Sequence, residues 1–72
     1  MRQPIEVKIS TEYITLGQFL KFAGIVDRGS DSKIFLQENV VLIDGVADNR
    51  RGRKLRGGET LEIGGSAYLI KR

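Results

Sequence analysis

The sequence predicts an α+β domain in which two short helices pack on a small, mostly antiparallel sheet. Three observations predict it. Near the start, Ile5, Val7 and Ile9 alternate with Glu6, Lys8 and Ser10, the period of a half-buried strand. Further on, Leu16, Phe19, Leu20 and Ala23 recur at helical spacing and form one apolar face. After Asn39, short β-branched runs alternate with glycine-bearing turns, as in hairpin-connected strands.

Each element has its own local reason. Pro4 suits the first position of the first strand, where no ladder donor is needed. Thr15-Leu16-Gly17-Gln18 fits a capping box, with Thr15 as N-cap and Gln18 reaching back. Gly24 suits the position just past the end of that helix. Gly17 inside it costs roughly 1 kcal/mol against alanine, so the helix requires tertiary packing. The stretch from Ile25 to Gly29 reads as a connection. A second helix is expected to begin at Ser30 or Asp31, both good caps, and to run through Lys33, Ile34, Phe35 and Leu36 to about Glu38. Asn39 is expected to end it in the left-handed conformation.

The strands come next. Val40-Val41-Leu42-Ile43 is β-branched, Asp44-Gly45 is a hairpin turn signal, and Val46-Ala47-Asp48 returns. Asn49 to Arg56 reads as a polar, basic loop. Gly57-Gly58 and Gly64-Gly65 mark turns around Glu59–Ile63, and Ala67–Ile70 closes the sheet. Neither an internal repeat nor a low-complexity tract interrupts this order.

With 72 residues the chain is expected to be a single domain over 1–72. A domain of this size buries about 60% of the surface its unfolded chain exposes, which makes its stability modest. Cysteine and histidine are both absent, so disulfides and thiolate nucleophiles are excluded along with the two commonest zinc ligands. Apolar runs fall short of the roughly 18 residues of a membrane span. Met1 to Glu6 lack the apolar region of a signal peptide, so a cytoplasmic location away from membranes is expected.

The charge is unevenly spread. Residues 1–48 carry five basic and seven acidic side chains, a net of −2, whereas residues 49–72 carry seven and two, a net of +5. Such asymmetry points to a polyanionic partner. Its centre is Asn49-Arg50-Arg51-Gly52-Arg53-Lys54-Leu55-Arg56-Gly57, where five of the seven residues from Arg50 to Arg56 are cationic. Four of the five are arginine, whose planar fork suits bidentate phosphate contacts. Gly52 and Gly57 leave room for backbone N–H groups to approach an anion. The alternative is a solvated loop that only keeps the protein soluble; the density of charge and the arginine bias favour a polyanion site. Lys21 and Lys33 fall off the apolar faces of their helices. They extend the same positive face if the helix pair lies beside the loop, and Arg28 can join them from the turn between the helices.

Catalysis is not expected. General acid–base work needs a positioned group of tuned pKa, and the carboxylates are scattered singly through strands, caps and turns. Asp44 is explained by its turn, Asp27 and Asp31 by the helix junction, and Glu59 and Glu62 by exposed strand positions. A chain this short is also expected to lack room for a substrate pocket of about 300 Å³. The aromatic residues Tyr13, Phe19, Phe22, Phe35 and Tyr68 form no evident stacking platform, so shape and phosphate contact are the expected mode of binding.

Thr15-Leu16-Gly17-Gln18-Phe19-Leu20-Lys21 resembles the first helix of the S-four RNA-binding domain, where that family reads Arg-Leu-Asp-x-Phe-Leu-Lys. The resemblance runs on through the second helix to Val40–Gly45, where the family has a Val-x-Val-Asn-Gly strand and turn. It reaches Gly58-Glu59-Thr60-Leu61, similar to the family's Gly-Asp-x-Ile, and covers residues 14–63. Among its members the chain is most similar to short bacterial single-domain proteins of the YaaA and YbcJ type, which carry this kind of basic loop. The resemblance implies an alpha-L fold that binds structured RNA, ribosomal or transfer RNA, in ribosome assembly or translation. Carried over residue by residue, it puts Lys21, Arg28, Ser30, Lys33 and the turn at Asp44 on the RNA face. Thr15, Asp31 and Asp44 stand where the family has arginine, a basic residue and asparagine, which places more demand on the basic loop.

The expectation is therefore a monomeric, non-enzymatic RNA-binding module without cofactor, metal or small-molecule substrate. Asn49, Arg50, Arg51, Arg53, Lys54 and Arg56 supply its electrostatic grip, and Lys21, Arg28, Ser30 and Lys33 orient the helix pair. The rival reading is a protein-interaction adaptor that docks on an acidic partner by the loop or a sheet edge. Double-stranded DNA is disfavoured, because neither helix is a dense basic recognition helix.

Overall fold

A computed structural model describes residues 4–72 of the chain. Met1, Arg2 and Gln3, the start of the stretch read as lacking an apolar leader, lie outside the described residues. The order is β1 (Ile5–Lys8), β2 (Ile14–Thr15), α1 (Leu16–Phe22), α2 (Asp31–Glu38), β3 (Val41–Ile43), β4 (Val46–Ala47), β5 (Lys54–Leu55), β6 (Thr60–Ile63) and β7 (Ser66–Lys71). The main sheet has the order β1-β7-β6-β3-β4. Its pairs are antiparallel except β1 with β7, which run parallel. The predicted class, helices on a mostly antiparallel sheet, is the one observed.

The core is apolar and gathered between the helices and one face of the sheet. Leu16, Phe19 and Leu20 of α1 and Leu36 of α2 meet Val7, Val41, Ile43, Leu61 and Ile70 there. Phe19 and Tyr68 pack edge to face, with ring centroids 5.4 Å apart. Ile5 departs from the alternation that put it inward: it opens an edge strand and is 55% exposed. Pro4 immediately precedes β1.

Helix α1 is built as its sequence suggests. The Thr15 hydroxyl accepts a hydrogen bond from Gln18 N, and Gln18 Oε1 accepts one from Thr15 N. At the other end, Gly24 N donates to Lys21 O and Ile25 N to Leu20 O, with Gly24 at φ +75°. These two bonds are a Schellman closure. The C-terminal end of this seven-residue helix is thus closed locally, and at its start the capping box takes up Gln18 N.

Helix α2 departs from expectation at both ends. The Ser30 side chain makes no capping bond, because its backbone is already helical at φ −67° and ψ −25°. The first turn is held by Ser32 instead, whose buried hydroxyl donates to Gly29 O at 2.6 Å. Asn39 is extended at φ −130°, not left-handed. Its backbone N–H and its side-chain amide both donate to Phe35 O, which closes the helix without a left-handed residue.

The glycine turns behave as read. Asp44 and Gly45 both have positive φ, which a two-residue β3–β4 turn of type I′ requires. The Asp44 carboxylate accepts from Thr60 N at 3.0 Å and so fastens this turn to β6.

Thr15→Ala is expected to destabilise the protein by about 1 kcal/mol. Circular-dichroism melts should show a midpoint lowered by about 4–8 °C.

Candidate nucleic-acid interface

The stretch from Asn49 to Arg56 is not the free loop expected. Lys54 and Leu55 form β5, which pairs antiparallel with β2 through Ile14↔Leu55 and Thr15↔Lys54. The Leu55 side chain is fully buried, so one apolar residue anchors a run of five cations. The backbone before it is fixed as well. Arg53 O accepts from Leu16 N at 2.8 Å, and Arg51 O accepts from Gly17 N at 3.0 Å. The first N–H groups of a helix have no partner within it. Here the basic segment supplies those partners.

This arrangement explains Gly17. A Cβ there would lie 3.3 Å from Ser32 Oγ and 3.5 Å from Arg51 O. The start of α1, the first turn of α2 and the basic segment therefore meet at one glycine. Lys33 follows Ser32 directly and is exposed, as are Arg28 and Ser30 just before it. Lys21 is exposed one turn beyond Gly17. The starts of both helices thus lie beside the basic segment.

The five cations are not equivalent. Arg50 donates to both oxygens of Asp48, at 3.1 Å from Nε and 2.8 Å from Nη2. Arg53 reaches the same carboxylate at 3.4 Å. The Asp48 side chain is 9% exposed, against 69% for Arg50. The Arg50 side-chain hydrogen bond holds the Asp48 carboxyl at about 2, below an ordinary 3.8, against the opposing effect of burial. Asp48 in turn raises the Arg50 pKa. Arg51, Lys54 and Arg56 make no ion pair among the described residues. Lys54 Nζ and Arg56 Cζ lie 5.0 and 5.7 Å from the Tyr13 ring centroid, so a half-exposed aromatic orders two of the cations. No local pattern signals this partnership, since Tyr13 is some forty residues away.

The chain resembles a known family over most of its length, and the match decides its membership. The S4 domain family matches residues 7–71. The chain belongs to the S4 domain family. Its similarity to a relative agrees with this. A Bacillus subtilis (strain 168) protein named "Probable ribosome maturation protein RlbA" is 52% identical over 59 residues, covering 82% of this chain and 83% of that one. The S4 match includes all of α1, α2 and the basic segment, and extends beyond residues 14–63, where the resemblance was legible in motifs.

Some expected features of this S4 domain are otherwise engaged. The Asp44 carboxylate serves β6, as described. Gly57 N donates to Glu59 Oε1 at 2.7 Å and Arg56 N to Glu59 Oε2 at 2.8 Å. Glu59 is thus not a plain strand residue: its carboxylate occupies the backbone donors at Gly57 that were read as open to an anion. Asn49 and Gly52 are exposed. The described residues hold no group of three or more acidic side chains able to bind a metal ion. Among the described residues no helix is long and apolar enough to cross a membrane. The expectation that the chain lacks room for a pocket is corrected. An open groove of about 720 Å³ runs between the end of β1 and α1, lined by Lys8, Phe22 and their neighbours.

Asp48 has a lowered pKa in the folded protein, so its stabilisation is present above about pH 4 and is lost as the pH falls toward 2. Urea unfolding of Asp48→Asn should show reduced stability at pH 7 and a gap to the native protein that closes near pH 2. Gly17→Ala should bring none of the roughly 1 kcal/mol that alanine normally gains in a helix. A melting midpoint raised by several degrees would show instead that Ser32 yields to the new methyl group.

Proposed function

We propose that this chain is an RNA-binding module that grips structured RNA, ribosomal or transfer RNA, in the maturation of the ribosome. One observation carries the reading. Five cations are mounted on a backbone whose carbonyl groups cap α1 and whose apolar residue enters the core. A flexible basic tail loses conformational entropy when it binds, whereas this segment is already ordered. Membership of the S4 family supports the reading, as does the name of the Bacillus subtilis relative, which assigns that protein to ribosome maturation.

In this reading Arg51, Lys54 and Arg56 make the primary phosphate contacts. Arg50 and Arg53 share their charge with Asp48 and contribute at the margin. Asn49 adds a neutral hydrogen-bonding group beside them. Arg28, Ser30 and Lys33 at the start of α2, with Lys21 on α1, set the orientation of the helix pair on the RNA. The module acts as a monomer in the cytoplasm, as one domain over 1–72, and performs no reaction of its own.

The test uses the three cations that are not paired with Asp48. Arg51→Glu/Lys54→Glu/Arg56→Glu should fold and lose binding to ribosomal RNA fragments, measured by fluorescence anisotropy. Three primary phosphate contacts predict a slope of about −2 in log affinity against log salt, from about −0.7 per contact on single strands. A salt-independent affinity, or an unchanged affinity in the triple variant, would overturn the reading. Retention of a protein partner without RNA would transfer the role to an adaptor.

A further inference from the structure

The groove between β1 and α1 has a chemistry of its own. Its floor is the buried pair Ile9 and Ile14. Phe22 stands in its wall from the last turn of α1, 64% exposed. A lone exposed phenylalanine needs no explanation. This one is flanked by Lys8 and Lys21, neither of which forms an ion pair among the described residues. The remaining lining is hydrogen-bonding. Gln18 Oε1 is engaged by Thr15 N, which leaves the amide nitrogen as its donor. The Thr11 hydroxyl donates to Tyr13 O and keeps its lone pairs as acceptors. Ser10 lies beside it, and no carboxylate lines the groove.

A flat aromatic surface, a few polar groups and cations on the rim match the needs of an unstacked nucleotide: a π-face, a base edge and a phosphate. The volume of about 720 Å³ is in the range of small-ligand sites. The groove also adjoins the basic segment. Ile14 of its floor pairs with Leu55, which sits between Lys54 and Arg56. Tyr13, next along the chain from Ile14, lies under both of those cations.

We propose that this groove takes one unpaired nucleotide of the bound RNA, its base stacked on Phe22 and its phosphate held by Lys8 and Lys21. Gln18, Ser10 and Thr11 face the base edge. The proposal rests on the RNA-binding reading and gives it selectivity: the protein prefers RNA with an extruded base next to a duplex. The basic segment grips the duplex, and the groove registers the unpaired position.

The test compares two labelled RNA hairpins, one fully paired and one with a single bulged adenosine, on the native protein and on Phe22→Ala. Phe22 is exposed, so its removal leaves the core intact. The native protein should bind the bulged hairpin more tightly. Phe22→Ala should lose about tenfold on the bulged hairpin, the scale of one base stack, and nothing on the paired one. Equal binding of the bulged hairpin by both proteins would overturn the proposal while leaving the RNA-binding reading in place. Failure of the native protein to bind either hairpin would overturn both. Amide shifts of ¹⁵N-labelled protein give a further outcome. If an Asp/Glu/Leu peptide moves Ser10, Thr11 and Phe22 and the bulged hairpin does not, the groove is a peptide site and the proposal falls.

Discussion

The two hydrogen bonds from Leu16 N and Gly17 N to the carbonyls of Arg53 and Arg51 hold the rest of this architecture together. A seven-residue helix is too short to persist alone. Its first-turn donors need partners, and the basic segment provides them. In return the segment acquires a fixed backbone: its carbonyls turn toward the helix, and Leu55 turns into the core. Helix start and cationic run, more than thirty residues apart in sequence, form one structural unit.

The acids near the segment fit the same picture. Asp48 pairs with both arginines that flank the turn at Arg51 and Gly52, offsetting one of their two charges, and so relieves part of the mutual repulsion of five like charges. Glu59 satisfies the backbone donors after Arg56 instead of pairing with a side chain. The carboxylates beside the segment therefore shape it while leaving Arg51, Lys54 and Arg56 uncompensated among the described residues. Tyr13 adds order to two of these three without reducing their charge.

Much of this was legible in the sequence where the signal is local. The capping box at Thr15 and Gln18, the closure at Gly24 and the Asp44-Gly45 turn each depend on neighbours within a few residues, and each is found. The β2–β5 pair was not legible. Two residues on each side carry no periodicity, and their pairing is set by tertiary proximity. Leu55 was a sign in plain view, since a lone leucine among cations has no reason to face water. The cap at Ser30 failed because its backbone is already helical, and the N–H groups of Asp31 and Ser32 bond instead to the carbonyls of Arg28 and Gly29. Asn39 failed because its side chain closes the helix from an extended backbone. The cationic residues were visible as a run. Their division into those paired with Asp48 and those left free depended on distances that sequence does not encode.

The parallel pairing of β1 with β7 bears on how the chain assembles. Ile5 lies opposite Tyr68, so this edge of the sheet joins segments separated by nearly the whole chain. The β3–β4 hairpin rests on near neighbours and can form early. The β1–β7 ladder has to wait until β7 exists, and its loop-closure entropy makes it slow. During synthesis the first strand is therefore an unpaired edge, with Val7 and Ile9 uncovered, until the last strand has emerged. Completion of this sheet waits on β7, and a chain interrupted before β7 would leave β1 exposed to self-association.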